Sequence, residues 1–171
     1  QRHYQVDPLG ILGAMNPDLV VNLSASPWHD GKKLLRQHLI TESAVRVGCP
    51  IAYCNLVGGN DELIFDGHSK VISRDGQLHA GMAGFREELK VVDLYDRYPY
   101  IAPTYFREGM ADIFDALVLG LRDYAYKSGF RKALIGLSGG IDSAVTAVIA
   151  VEAFGAENVM GVSLPSSISS Q

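Results

Sequence analysis

Gly136-Leu137-Ser138-Gly139-Gly140-Ile141-Asp142-Ser143 is the stretch whose reading decides the fold. Ahead of it, Ala133 to Leu137 is an apolar run of strand length, and behind it Ser143 to Phe154 reads as a helix that Gly155 ends. Val159 to Leu164 reads as a second strand. Strand, tight turn, helix and strand within about 30 residues predict a right-handed parallel βαβ unit. In an open parallel sheet, ligands bind beyond the carboxyl ends of the strands, which is where this turn falls. Its adjacent glycines let the backbone approach a ligand closely. The free amides of the turn and of the helix N-terminus then face one point and favour an anion, most simply phosphate. Ser138 and Ser143 add hydroxyl donors, and Asp142 offers a carboxylate suited to Mg²⁺.

Upstream, Met110, Ile113, Phe114, Leu117, Val118, Leu121 and Tyr124 follow helical spacing, with Lys127 and Gly129 marking the end. Tyr95 to Phe106 holds two prolines and five aromatics, a composition read as a linker that packs its rings against a neighbour. Before it, Leu19 to Leu23 and Ile51 to Val57 read as strands, the second ended by Gly58-Gly59-Asn60. Lys32 to Val47 between them reads as a helix with Leu35, Leu39 and Ala44 on its apolar face and Gly48 as its stop. Arg74-Asp75-Gly76 is a hairpin turn signal, and Leu89 to Leu94 is expected to close the region as a strand.

The chain has 171 residues, 47% of them hydrophobic and 20% charged, the balance of a globular protein rather than a disordered one. A net charge of −4 gives no electrostatic footprint for nucleic acid or anionic lipid. The longest strongly apolar stretch, Ala144 to Val151, is too short to span a bilayer. The N-terminus has neither an initiator Met nor a leader pattern, so the chain is expected to start inside something larger. Cys49 and Cys54 are the only cysteines, and along a strand their Cα atoms stand about 16 Å apart, too far for a disulfide. A reducing, cytoplasmic setting is the matching expectation.

Three motif readings compete for the turn. A Walker A loop needs a Lys before its Ser or Thr, and none is present. A nucleophile elbow, Gly-x-Ser-x-Gly, matches Gly136 to Gly140, but all five histidines lie earlier and Asp142 and Ser143 have no role in it. A His beyond Gln171, after a downstream acid, would revive that reading. The third string, Ser-Gly-Gly-x-Asp-Ser, uses every residue and resembles the pyrophosphate-binding loop of the ATP pyrophosphatase superfamily. With Gly155 and Gly161-Val-Ser-Leu-Pro-Ser-Ser-Ile-Ser-Ser170, it is similar to NAD synthetase. At Ser167 many members of that family carry a basic residue instead. In the upstream half, Asn22-Leu-Ser-Ala-Ser-Pro27, Gly31-Lys32, Gly48-Cys-Pro50 and Asn55-Leu-Val-Gly-Gly-Asn-Asp-Glu-Leu-Ile-Phe-Asp-Gly-His-Ser69 resemble a nitrilase-type glutaminase domain. Both in this order resemble glutamine-dependent NAD synthetase.

The resemblance implies an α/β fold: the later half of a nitrilase-like α-β-β-α sandwich over residues 1–94, a linker over 95–106, and the start of a Rossmann-like parallel sheet over 107–171. It implies a ligase that amidates deamido-NAD through an adenylylated intermediate, with ammonia from glutamine. GMP synthetase, another amidating member of the superfamily, and a non-catalytic nucleotide-binding remnant are the alternatives. Gly136, Leu137, Ser138, Gly139, Gly140, Ile141, Asp142 and Ser143 would bind ATP, with Asp142 as the Mg²⁺ ligand. Ser26 and Lys32 fall where the family contacts glutamine. The family's Glu-Lys-Cys triad would lie upstream of this chain, so neither Cys49 nor Cys54 inherits the nucleophile's role, and His29 and His68 are read as structural or surface residues. The implied partners are glutamine, deamido-NAD, ATP and further copies of the chain, with no nucleic acid and no membrane.

Overall fold

Two β-branched apolar runs, Val20–Ser24 (β1) and Ile51–Asn55 (β2), pair in parallel, with Val20 opposite Ile51 and Ser24 opposite Asn55. A parallel pair needs a crossover, and the helix Lys32–Val47 supplies it. It is the second helix (α2), after the short Pro8–Ala14 (α1). Gly48 ends α2 in the left-handed region at φ 76°, as the sequence predicts. In this computed structural model, which describes residues 6–96 and 98–163, two compact units emerge. The first runs to Val57 and from Phe65 to Gly109; the second takes Gly58–Ile64 and the chain from Met110 onward.

The hairpin strands Val57–Asn60 (β3) and Leu63–Asp66 (β4) form a sheet of their own, and Asp61 turns between them at φ 51°. Lys70–Ile72 (β5), Leu78–Gly81 (β6) and Tyr100–Ile101 (β7) complete a five-stranded sheet in the order β1-β2-β5-β6-β7. β5 runs antiparallel to both β2 and β6. On the face that α2 covers, Ile40 and Ala44 pack against Ile51, Tyr53 and Ile72.

Three sequence readings need correction before Gly109. The buried stripe of α2 is Lys33, Arg36, Ile40 and Ala44, whereas Leu35 and Leu39 are about half exposed. Two cations hold core positions because a carboxylate across the interlayer meets one of them, as described below. The Gly58-Gly59-Asn60 run does not stop a strand; it lies within β3. Leu89 to Leu94 is not a strand: Leu89 and Val91 are almost wholly exposed, while Val92 and Leu94 pack on Val71, Ala80 and Met82.

In the second unit, Met110–Lys127 (α3) and Ile141–Phe154 (α4) join Val118 and Ala125 to Ala150, Ala153 and Phe154. Ala133–Leu137 (β8) and Val159–Ser163 (β9) pair in parallel throughout, from Ala133 opposite Val159 to Leu137 opposite Ser163. The hairpin tip grips α3. Gly59 N–H donates to Asp123 Oδ2 at 2.7 Å, Lys127 Nζ donates to Gly59 O, and a Cβ at Gly120 would lie 3.0 Å from Ile64 Cδ1. Leu164 and the serine-rich string after it lie outside the described residues. Among the described residues, no helix is long and apolar enough to cross a membrane.

The aromatic segment is less irregular than its prolines suggest. Tyr100 and Ile101 pair with Ala80 and Gly81, and Tyr105 is 1% exposed, its ring lying where a side chain at Gly81 would be. A Cβ at Gly81 would stand 2.7 Å from Tyr105 Cδ2 and 2.8 Å from Cε2. Gly81→Ala is therefore expected to destabilise the fold by about 1–3 kcal/mol, read from equilibrium denaturation.

Candidate functional site

The loop after β8 is built as its residues dictate. Leu137 ends the strand, Gly139 takes φ 83°, and Gly140 opens α4 from an extended conformation with no side-chain cap. That leaves the first amides of a 14-residue helix without side-chain partners at its positive end. The two serines brace the bend. Ser143 Oγ donates to Gly140 O at 2.9 Å and accepts from Ser138 N–H at 3.3 Å, and the two hydroxyls are 3.2 Å apart. Ser138 Oγ also accepts the Gly140 N–H at 3.3 Å. All eight loop residues except the half-buried Ser143 are exposed, and a Cβ at Gly136 or Gly139 would meet nothing within 4 Å. Asp142 stands exposed in the first turn of α4. No three carboxylate, His or Cys side chains cluster to hold a metal among the described residues. A lone carboxylate still suits Mg²⁺, which is commonly held by one or two carboxylates together with substrate phosphates.

In the first unit, Ser26 and Lys32 are brought to one turn at the carboxyl ends of β1 and β2. Lys32 Nζ donates to Pro27 O at 2.6 Å, and Ser26 N–H donates to Asn55 Oδ1 at 2.9 Å. Both side chains are half-buried. A cleft of about 560 Å³ opens beside them, lined by Leu23, Ser24, Ala25, Cys54, Asn55 and Arg86 among others. Cys54 is exposed and Cys49 buried, and both are free thiols. The strand alternation that turns Tyr53 and Asn55 towards α2 sends Cys54 to the opposite, exposed face.

Behind the turn lies a buried polar network that the sequence reading did not assemble. Asp66 is fully buried and accepts from Arg36 Nη2 at 2.6 Å on both oxygens, from His68 Nδ1 at 2.8 Å and from Asn55 Nδ2 at 3.4 Å. Burial opposes the ionised carboxylate, but the hydrogen bonds from His68 and Arg36 outweigh it and hold Asp66 below its ordinary range. Lys70, opposite Tyr53 on β5, is 2% exposed, and among the described residues its Nζ has no hydrogen-bond partner; neither do Tyr53 OH and Arg36 Nε and Nη1. Burial first, and the Arg36 charge second, push the Lys70 ammonium down to about 7. Arg36, Ile40 and Ala44 do recur every four residues, the spacing of one helix face, but that spacing alone does not choose this face over the one with Leu35 and Leu39.

A parallel α/β pair joined by an open, glycine-lined bend defines the class, and residues 113–171 match the NAD synthase family. The chain is 46% identical to the glutamine-dependent NAD(+) synthetase of Synechocystis sp. over 99% of its own length and 31% of that protein's. It is 40% identical to the enzyme of that name from Thermotoga maritima over 90% of its length and 33% of the relative's. Among solved structures, the glutamine-dependent NAD+ synthetase of Acinetobacter baumannii, in complex with ADP, matches with a TM-score of 0.83 at 37% identity, over 95% of this chain and 32% of that one. That of Cytophaga hutchinsonii matches with a TM-score of 0.64 at 30% identity, over 82% of this chain and 23% of that one. The chain belongs to the family of glutamine-dependent NAD(+) synthetases and spans about a third of the length of the curated relatives it matches.

Lys70 sets a pH dependence. Its folded value near 7 lies below the ordinary 10.5, so between these limits the unfolded chain binds the extra proton and stability rises with pH. Lys70→Met is expected to raise stability at pH 7 by about 1–3 kcal/mol and to flatten the rise between pH 7 and 10, measured by thermal denaturation across that range.

Proposed function

We propose that this chain is part of a glutamine-dependent NAD synthetase that makes NAD from deamido-NAD, ATP and ammonia released from glutamine. Residues 1–94 supply the later half of its nitrilase-like glutaminase domain, 95–106 a connecting segment, and 107–171 the first part of its synthetase domain. The observation that carries the reading is the open bend from Gly136 to Ser143, with unspent amides at the head of α4. The Acinetobacter relative, solved in complex with ADP, supports the use of an adenine nucleotide.

A carboxylate is a poor acyl donor, and the chemistry remedies this in two balanced steps. A carboxylate oxygen of the nicotinate group attacks the α-phosphorus of ATP, the bond to the bridging oxygen breaks, and pyrophosphate leaves. Ammonia nitrogen then attacks the acyl carbon, the bond to the AMP oxygen breaks, and a proton departs with the amide formed. The loop's part is electrostatic. The amides of Gly139 and Ile141 and the hydroxyls of Ser138 and Ser143 would surround the leaving pyrophosphate, whose charge grows as it departs. Asp142 would hold Mg²⁺ against the same phosphates, and the ion supplies further charge neutralisation when bound. In the first unit, Ser26 and Lys32 contact glutamine; neither Cys49 nor Cys54 acts on it. The setting is cytoplasmic, and the working form is a homo-oligomer without nucleic acid or membrane partners.

The test is NAD formation by the full-length protein from deamido-NAD and ATP, with glutamine or ammonium as nitrogen donor. Pyrophosphate and AMP are expected in equal amounts with NAD; their release only with a different acceptor would overturn the assignment. Asp142→Ala is expected to lower the rate roughly 100-fold with either donor, because the pyrophosphate step is common to both.

A further inference from the structure

We infer that the Asn55 carboxamide, locked by Asp66, is a positioning group that sets the Ser26 turn for glutamine, so that a buried network touching no substrate tunes the glutaminase half. The inference rests on the reading of Ser26 as a glutamine contact and adds the residues that hold it in place.

Asn55 is the last residue of β2, 5% exposed, and its side chain crosses to the turn that follows β1. Its Oδ1 accepts the Ser26 N–H at 2.9 Å, and its Nδ2 donates to Ser26 O and to Asp66 Oδ1, each at 3.4 Å. One amide thus takes both backbone groups of Ser26 and leaves the Ser26 hydroxyl as the group a ligand meets. The amide's orientation is fixed from behind. A carboxylate only accepts, so Asp66 forces Nδ2 inwards and Oδ1 outwards to the turn.

Asp66 is itself held from two elements. Arg36 comes from α2 and His68 from the bend after β4, and each occupies the carboxylate within 2.8 Å. His68 has no room to leave. It is 1% exposed, the rings of Phe85 and Tyr105 stand edge-on to it at 5.7 and 5.9 Å, and a Cβ at Gly84 would lie 2.1 Å from its Cε1. The backbone here is strained, with His68 at φ 51° and Phe85 at φ 58°, in the left-handed region that side chains of this size disfavour. Phe85 N–H donates to Asp66 O at 3.0 Å and Gly67 N–H to Leu56 O at 2.9 Å, tying the bend to the strand ends that flank the turn. A core that needed only volume would have filled this space with apolar side chains; the donors here converge on one carboxylate, and one of them, Asn55, carries the network on to Ser26.

The test uses the full-length protein and compares glutamine with ammonium chloride as nitrogen donor. Ammonia is the nucleophile that displaces AMP, so its salt bypasses the glutaminase half. Asn55→Ala removes both hydrogen bonds to the Ser26 backbone and is expected to raise KM for glutamine roughly tenfold, with a smaller change in kcat and an unchanged ammonia-supported rate. Two variants at His68 provide a second route that does not touch Asn55. His68→Asn keeps an N–H within reach of Asp66 and is expected to keep the glutamine KM near wild type; His68→Phe lacks that donor and is expected to raise it. An unchanged glutamine KM in Asn55→Ala and His68→Phe would overturn the inference, as would a parallel loss with both donors, the mark of a merely structural role. A wild-type protein making NAD from neither donor would instead sink the functional reading beneath it.

Discussion

A carboxylate without water is the constraint around which the first unit is arranged. Asp66 has no exposed surface, and an isolated charge in that position would be driven to neutralise. It stays ionised because α2 delivers Arg36, the bend after β4 delivers His68 and β2 delivers Asn55. Satisfying one side chain therefore fixes three things together: which face of α2 turns inwards, how the chain bends between β4 and β5, and where the turn after β1 rests. Apolar packing of Ile40, Ala44, Ile51 and Ile72 supplies much of the attraction between helix and sheet, but it is not directional. The carboxylate supplies the register.

The bend after β8 follows the opposite design. Its hydrogen bonds run among its own serines and glycines, it faces solvent, and the amides at the head of α4 have no side-chain cap. A network whose donors are consumed internally is suited to holding shape, whereas one with donors to spare is suited to receiving a charged guest. On the proposed reading, the same chain thus provides a stiff support for an amino-acid substrate and an open cradle for a polyphosphate.

Legibility in the sequence followed the range of the forces involved. β8, the glycine turn, α4 and β9 were readable because each depends on neighbours within a few residues: a continuous apolar run, a Gly-Gly pair, a helical repeat. The limits of α2 were readable for the same reason, its end resting on Gly48. Its inward face was not, because burial of Arg36 depends on a carboxylate thirty residues away, and local pattern favours Leu35 and Leu39 instead. Leu89 to Leu94 looked like a strand by composition, yet it pairs with no strand. The candidate residues Ser26 and Lys32 were found by resemblance alone; no local rule shows that Asn55 reaches across to hold the first of them. The aromatic segment hid its two-residue strand and its buried ring for a related reason, since Tyr105 fits only where Gly81 leaves space.

Gly58–Ile64 belongs to the second unit although the residues on either side of it belong to the first. The backbone therefore passes between the units at three points, after Val57, after Ile64 and after Gly109. No single scission separates one whole unit from the other. A protease nicking the polypeptide beside Gly109 would leave Gly58–Ile64 on the piece that carries the first unit, and gene splits at that point would inherit the same mismatch.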